Sequence, residues 1–295
     1  MVDVIDATGP VLIFGGSYSN LEATETLFKV ASERGIPPER IICTGDVTAY
    51  CADAEATATL IRESGIAVVM GNTDESLAGG GESCGCGFDT GSACDLLSAR
   101  WMAHASETVS DVNREWMSTF PSRIDLRFSE IGLRFVVVHG SPKVINRFVF
   151  SSTPDEDLLD EIDGLAADGI ISGHCGLPYT RSVADVPWIN AGVIGMPAND
   201  GANDGWYAVL TPSAEGLNVA HHRLGFDHAS AAAKMRQAGL PEAYASSLES
   251  GLWPNMDVLP PAEQTQRGMP LILDPVRLPA KSQAESKSQI ESVTA

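Results

Sequence analysis

The chain has 295 residues, 44% of them hydrophobic and 20% charged, which suits a folded globular protein with a full core and excludes a disordered or fibrous chain. Its formal net charge of −20 has the wrong sign for displacing counterions from nucleic acid or for binding an anionic bilayer, so neither is an expected partner. No apolar run nears the ~20 residues that span a membrane. The start MVDVIDATGP lacks the basic residues and apolar stretch of a secretory leader. The expectation is a cytoplasmic protein whose six cysteines are thiols or metal ligands rather than disulfides.

In chain order, the first apolar run is VLIF at 11–14, a strand pattern that ends at Gly15-Gly16. Residues 21–34 are amphipathic and begin just past Asn20, a good helix cap. A strand at 41–43 leads into Gly45-Asp46. A helix over 52–64 follows, with Ala56, Leu60 and Ile61 on one face. VVM at 68–70 runs into Gly71-Asn72-Thr73-Asp74. This strand–helix alternation predicts parallel strands. Residues 79–95, rich in glycine and bearing cysteines, read as a long loop, and 98–120 as a helix anchored by Trp101 and Trp116.

The second half holds strand patterns at 123–129, 133–139, 169–173, 188–192, 206–211 and 217–224, with one helix near 155–166. Direct strand-to-strand connections there predict antiparallel pairing. A helical pair over 229–252 breaks at Gly239-Leu240-Pro241. From about residue 262 the composition turns polar, which reads as one domain over 1–260 and a flexible tail over 261–295. Two mixed sheets face to face with helices outside, an α/β/β/α sandwich, accommodate both halves.

Five of the apolar runs end in glycine and then a polar residue: VLIFGGSYSN (11–20), IICTGD (41–46), VVMGNTD (68–74), FVVVHGSP (135–142) and GIISGHCGLP (169–178). Polar residues just past buried strands gather at one sheet edge, where α/β proteins place their sites. Asp46, Asn72, His139 and His174 therefore converge, and this oxygen and nitrogen set suits Zn, Mn or Fe.

The order of these motifs resembles the calcineurin-like metallophosphoesterases, in particular their small bacterial and archaeal phosphodiesterase branch. The family pattern is D-x-H-G-N, G-D, G-N-[HC]-[DE], H-G, G-H-x-H-x-P and N-P-G-S. The counterparts here are Gly16-Ser17-Tyr18-Ser19-Asn20, Gly45-Asp46, Gly71-Asn72-Thr73-Asp74, His139-Gly140, Gly173-His174-Cys175-Gly176-Leu177-Pro178 and Asn190-Ala191-Gly192-Val193. The resemblance covers about residues 10–250. It implies the four-layer sandwich, a transition-metal cofactor of one or two ions, and Asp46, Asn72, His139 and His174 as ligands of one ion. It also implies that Asn72 and His139 line the phosphate pocket, with Asp74 as a further catalytic residue.

The ligands of the family's other ion fall at Gly16, Tyr18 and Gly176, so that site is largely lost. Cys84, Cys86, Cys94 and Cys175, with Tyr18, are the candidate replacements. The cysteines of the loop alternatively form a separate structural zinc site or stay unliganded. Tyr18 alternatively lines the pocket, and Tyr50 reads as packing. Arg147 is a candidate clamp for a substrate phosphate. His221, His222 and His228 read as structural.

Two functional expectations follow. One is a hydrolase acting on a small phosphate mono- or diester, the diester favoured by the resemblance; the other is a non-hydrolytic metal- or phospholigand-binding protein of the same fold. Homo-oligomerisation stays open.

Overall fold

The computed structural model describes residues 3–87 and 91–281. β1 (Asp3–Asp6) precedes β2 (Val11–Phe14), which is buried at every residue. Asn20 caps α1 (Leu21–Glu33), its side chain accepting from the Ala23 N–H. Next come β3 (Ile41–Cys43), α2 (Ala54–Ser64), β4 (Ala67–Val68) and α3 (Asn72–Ala78).

The helix expected over 98–120 is two: α4 (Ala93–Thr108) and α5 (Asp111–Met117). The break falls at Ser110, whose hydroxyl accepts from the Asn113 N–H and starts a new helix. The Ser110 N–H donates to Glu55 of α2, which fixes the angle. Trp101 is buried in the core, while Trp116 is half-buried at its margin.

The second half carries β5 (Ile124–Phe128), β6 (Leu133–Val137), α6 (Leu159–Ile162), β7 (Gly169–Ser172), β8 (Tyr179–Val183), β9 (Val186–Asn190), β10 (Gly205–Ser213) and β11 (Gly216–Leu224). It closes with α7 (His228–Gln237), α8 (Glu242–Ser250), α9 (Pro261–Thr265) and β12 (Val276–Pro279). The helix expected near 155–166 shrinks to α6, a single turn.

The strands form two six-stranded sheets, ordered β12-β11-β10-β2-β3-β4 and β1-β5-β6-β7-β9-β8. In the first sheet β2, β3 and β4 are parallel, and β10 is antiparallel to both β2 and β11. In the second, β6, β7 and β9 are parallel, while β5–β6 and β8–β9 are antiparallel.

Period-two alternation sorts the side chains into three layers. Val11 and Ile13 of β2 face the second sheet, packed with Phe135, Val137 and Ile171. Leu12 and Phe14 face the other way, onto Leu27 of α1, Ile61 of α2 and Met235 of α7. On the far side of the second sheet, Val136, Ile170 and Trp188 pack under Phe150, Leu158 and Leu259. Each fully buried Ile, Leu or Phe in these layers contributes about 1.5–3 kcal/mol. The result is an α/β/β/α sandwich, with the outer layer over the second sheet built mostly from loops and the short α6 and α9.

The tail expected from 261 starts later. Residues 261–265 are helical, and 276–279 add β12 antiparallel to β11, in register from Gly216↔Pro279 to Val219↔Val276. Leu278 and Ala280 pack on the inter-sheet core, and Lys281 Nζ pairs with Asp168 at 2.6 Å. These apolar side chains and a free strand edge order a segment that, over 268–280, is itself largely apolar (GMPLILDPVRLPA). The rest of the expected tail, 282–295, lies outside the described residues. Among the described residues, no helix is long and apolar enough to cross a membrane.

Candidate metal centre

Four of the turns that follow strands bring side chains to one point. Asp46 leaves β3, Asn72 opens α3 after β4, His139 follows β6 and His174 follows β7, so each sheet supplies two. His139 Nε2 lies 2.9 Å from Asn72 Oδ1, 3.0 Å from His174 Nδ1 and 3.3 Å from Asp46 Oδ2. All four residues are buried.

Three of the four are oriented from behind. The Thr44 carbonyl accepts a hydrogen bond from His139 Nδ1 at 2.6 Å, so Nδ1 carries its proton and Nε2 presents a lone pair. Asn72 Nδ2 donates to the Cys84 carbonyl and to Cys86 Sγ, which turns Oδ1 toward His139. Asp46 Oδ1 accepts from the Thr73 N–H and hydroxyl, leaving Oδ2 for the centre. Three acceptor atoms, on Asp46, Asn72 and His139, therefore converge beside the His174 ring, and a proton or a cation among them offsets their repulsion.

Electrostatics at the centre are consistent with that demand. Burial lowers the His139 pKa, but Asp46 and the Thr44 carbonyl outweigh it and hold the imidazole above its ordinary value. Burial, and then the His139 charge, drive His174 down to about 3. Burial opposes ionisation of Asp46, yet His139 and His174 keep its carboxyl below the ordinary range. A divalent ion suits the same place and the same oxygen and nitrogen donors. Asp46 and His174 hold positive φ of 59° and 60°, a strained backbone that the surrounding turns enforce. Gly45 and Gly71 permit the close packing: a Cβ on Gly71 would stand 2.4 Å from Asp46 Oδ1, and one on Gly45 2.8 Å from His139 Nδ1.

Residues 11–215 match the calcineurin-like phosphoesterase superfamily domain. The chain belongs to that superfamily. It is 24% identical over 249 residues to an uncharacterized protein of Methanocaldococcus jannaschii, covering 79% of this chain and 94% of that one. Its fold is similar to the crystal structure of a metallophosphoesterase from Sphaerobacter thermophilus, with TM-score 0.63 and 22% identity over 82% of this chain and 99% of that one. A hypothetical protein from Pyrococcus horikoshii is similar at TM-score 0.66 and 16% identity, over 83% and 99% of the two chains.

Measured against the superfamily's first-ion motif, this phosphoesterase-family chain has aromatic rings where ligands are missing. Gly16 has φ 30°, and a Cβ there would stand 2.4 Å from the Tyr18 ring. A Cβ on Gly176 would stand 3.2 Å from the Trp253 ring. Tyr18 in turn packs edge-on against Tyr50 at 4.7 Å between centroids. Burial, and then the Asp46 charge, push the Tyr18 phenol well above 10, so its hydroxyl keeps its proton and is a poor ligand.

Among the described residues, the ligand-atom cluster consists of Asp46, His139 and His174, with Asn72 completing it; no cysteine joins. Cys84 and Cys86 are instead bound up with each other and with Asn72. The hydrogen bond between the two thiols draws Cys84 below the ordinary thiol value and Cys86 well above it. Cys94 Sγ lies 3.1 Å from Asn255 Oδ1, and Cys175 Sγ accepts from Asn190 Nδ2 at 3.2 Å. All six cysteines are free and buried. Cys86, Cys94 and Cys175 line the pocket beside Asp46 and Tyr18 but stand outside the Asp46, His139 and His174 cluster.

Two further expectations change. Arg147 does not reach the centre: its guanidinium pairs with Glu161 Oε1 at 2.8 Å and with the Asp157 carbonyl. Asp74 faces backbone. Its carboxylate accepts from the N–H groups of Asp46, Val47 and Gly71 at 2.8, 2.9 and 3.1 Å, tying the turn that carries Asp46 to the start of α3. Burial and the Asp46 charge push it up to about 7 against those donors.

A pocket opens beside the cage, lined by Asp46 and His174 among others; Asn72 and His139 are not part of its wall. Residues without a motif signal complete the site. Thr44 and Thr73 orient ligands, and Phe148 lies over His174 at 4.2 Å between centroids. Tyr244 and Trp253 enter the pocket wall from the C-terminal region. Thr44 was visible only as the residue before Gly45-Asp46. The pocket aromatics follow no spacing, because tertiary packing alone brings them there.

Proposed function

We propose that this protein is a metal-dependent phosphoric ester hydrolase that works with one ion, held by Asp46, Asn72, His139 and His174, and that it prefers diesters. The carrying observation is the convergence of Asp46, Asn72, His139 and His174, the first three held by hydrogen bonds from behind, on one buried point beside a pocket. When bound, a Zn, Mn or Fe ion supplies a Lewis acid for a phosphoryl oxygen and acidifies water toward pH ~7.

The chain's own residues set the charge and the approach. Asp46 is the sole carboxylate of the cage, so a divalent ion leaves one net positive charge there. A diester monoanion neutralises it; a monoester dianion leaves a surplus negative charge beside Asp46. Among the described residues, the pocket lining contains no Lys or Arg to take up that surplus. Asp46 and His174 present the pocket-facing side of the cage, while Asn72 and His139 close it from behind.

A second reading is a non-hydrolytic binder of a phosphorylated ligand, favoured by the loss of ligands at Gly16, Tyr18 and Gly176. Elemental analysis of protein reloaded with Mn or Zn, beside Asp46→Ala, decides whether the cage binds. Assays on bis(p-nitrophenyl) phosphate and p-nitrophenyl phosphate then separate the readings. We expect one ion per chain, lost with Asp46→Ala, and faster turnover of the diester. One bound ion with no turnover of either ester supports the binder.

A further inference from the structure

The pocket beside the cage has an unusual lining for a site that handles a phosphate. Tyr18, Tyr50, Phe148, Tyr244, Trp253 and Met196 contribute to its wall, with Asp46 and His174 at one side. The rings form a connected set: Tyr50 lies 4.7 Å from Tyr18 and 4.8 Å from Tyr244 between centroids, inclined at 89° and 56°. Phe148 stands over His174 itself, at 4.2 Å. The phenols of Tyr18, Tyr50 and Tyr244 are all shifted upward, chiefly by burial, so these hydroxyls keep their protons.

This wall discriminates among substrates. A second phosphate or a carboxylate would meet Asp46, neutral phenols and no cation. A sugar would leave its hydroxyls facing largely apolar rings, at a desolvation cost. A planar ring meets edges and faces at the 4.5–7 Å separations that aromatic pairs favour, and it gains from apolar burial.

Building on the hydrolase reading, we propose that the ester carries a planar aromatic group, an aryl ring or a nucleobase, and that the pocket of Tyr18, Tyr50, Phe148, Tyr244 and Trp253 receives it next to the cage. Ring and phosphoryl group then bind at adjoining places, the ring against the aromatic wall and the monoanion at the Asp46–His174 side.

The test is binding, read by calorimetry and by quenching of tryptophan fluorescence, with Mn-loaded protein. Three monoanionic probes with poor alkoxide leaving groups are compared, each checked for intact ester after the titration: methyl methylphosphonate, methyl phenylphosphonate, and the methylphosphonate monoester of adenosine. We expect at least one ring-bearing probe to bind about tenfold more tightly than the ring-free one. The stronger of the two identifies the ring as simple aryl or nucleobase. Trp253→Leu and, from another part of the wall, Phe148→Leu should each shrink that preference severalfold, with circular dichroism confirming the fold. Equal affinity for all three probes would overturn the aromatic assignment and leave the phosphoester reading standing. Failure of all three to bind would remove that reading and this one together.

Discussion

Asp74 illustrates how a residue in a catalytic motif can act through backbone alone. Its carboxylate is fully buried and accepts three N–H groups from the turns that carry Asp46 and Asn72. Asp74→Asn places an amide NH2 where an acceptor is required. We expect a loss of about 1–3 kcal/mol in urea unfolding and a weaker hold on Mn, because the Asp46 backbone is no longer pinned. A role limited to proton transfer would instead lower turnover with unfolding and Mn affinity unchanged. The four cage residues were legible because each follows an apolar run and a glycine at a strand end. The partner of Asp74 was not, since it is backbone 27 and 28 residues earlier. Arg147 was misread for the same reason: Glu161, which holds it, comes 14 residues later on α6.

At the scale of elements, β12 shows where the boundary of the expected tail was set too early. Residues 268–280, GMPLILDPVRLPA, are largely apolar though mostly exposed, and Val276–Pro279 pairs with β11 at the edge of the first sheet. The apolar residues were legible, but the open edge of β11 that receives them is a product of the tertiary fold. Truncation after residue 274 should cost about 1–3 kcal/mol, on the order of one buried apolar side chain with its backbone bonds. Comparison of urea midpoints between the full chain and the truncated one checks this; equal midpoints would show that β12 is dispensable. The split between α4 and α5 has a similar origin. Its signal was a serine cap, but the Glu55 carboxylate that fixes the turn belongs to α2.

At the scale of the molecule, the cage lies between the sheets. Asp46 and Asn72 come from the first sheet and His139 and His174 from the second, so an ion bound there also joins the two halves of the sandwich. Chelation should lower the unfolding free energy by about 2.7 kcal/mol relative to protein held at 100-fold excess over the dissociation constant. Asp46→Ala should show no such difference between chelated and loaded samples.

His221 gives a separate pH dependence, remote from ligand chemistry. Burial is the main cause that lowers its pKa below 6.5, against its bond to the Asn190 carbonyl. The folded state therefore favours neutral imidazole, and the unfolded chain takes up protons first as pH falls. The stability from a neutral His221 is complete above about pH 6.5 and is lost as pH drops through the depressed folded value. The advantage of wild type over His221→Gln in urea unfolding should thus be larger at pH 8 than at pH 5.5.

The sequence by itself determined the layers and the cage. Alternating apolar runs dictate which faces are buried, and a polar residue after a strand can project only from the sheet edge. Tertiary structure decided everything that depends on a distant partner. It set the Tyr18 and Trp253 rings beside Gly16 and Gly176, where the first-ion ligands are missing, and left the cysteines outside the cluster of Asp46, His139 and His174. It also drew Tyr244 and Phe148 from distant segments into one aromatic wall. Local periodicity carries no record of such contacts, because they arise from packing between segments that share no spacing along the chain.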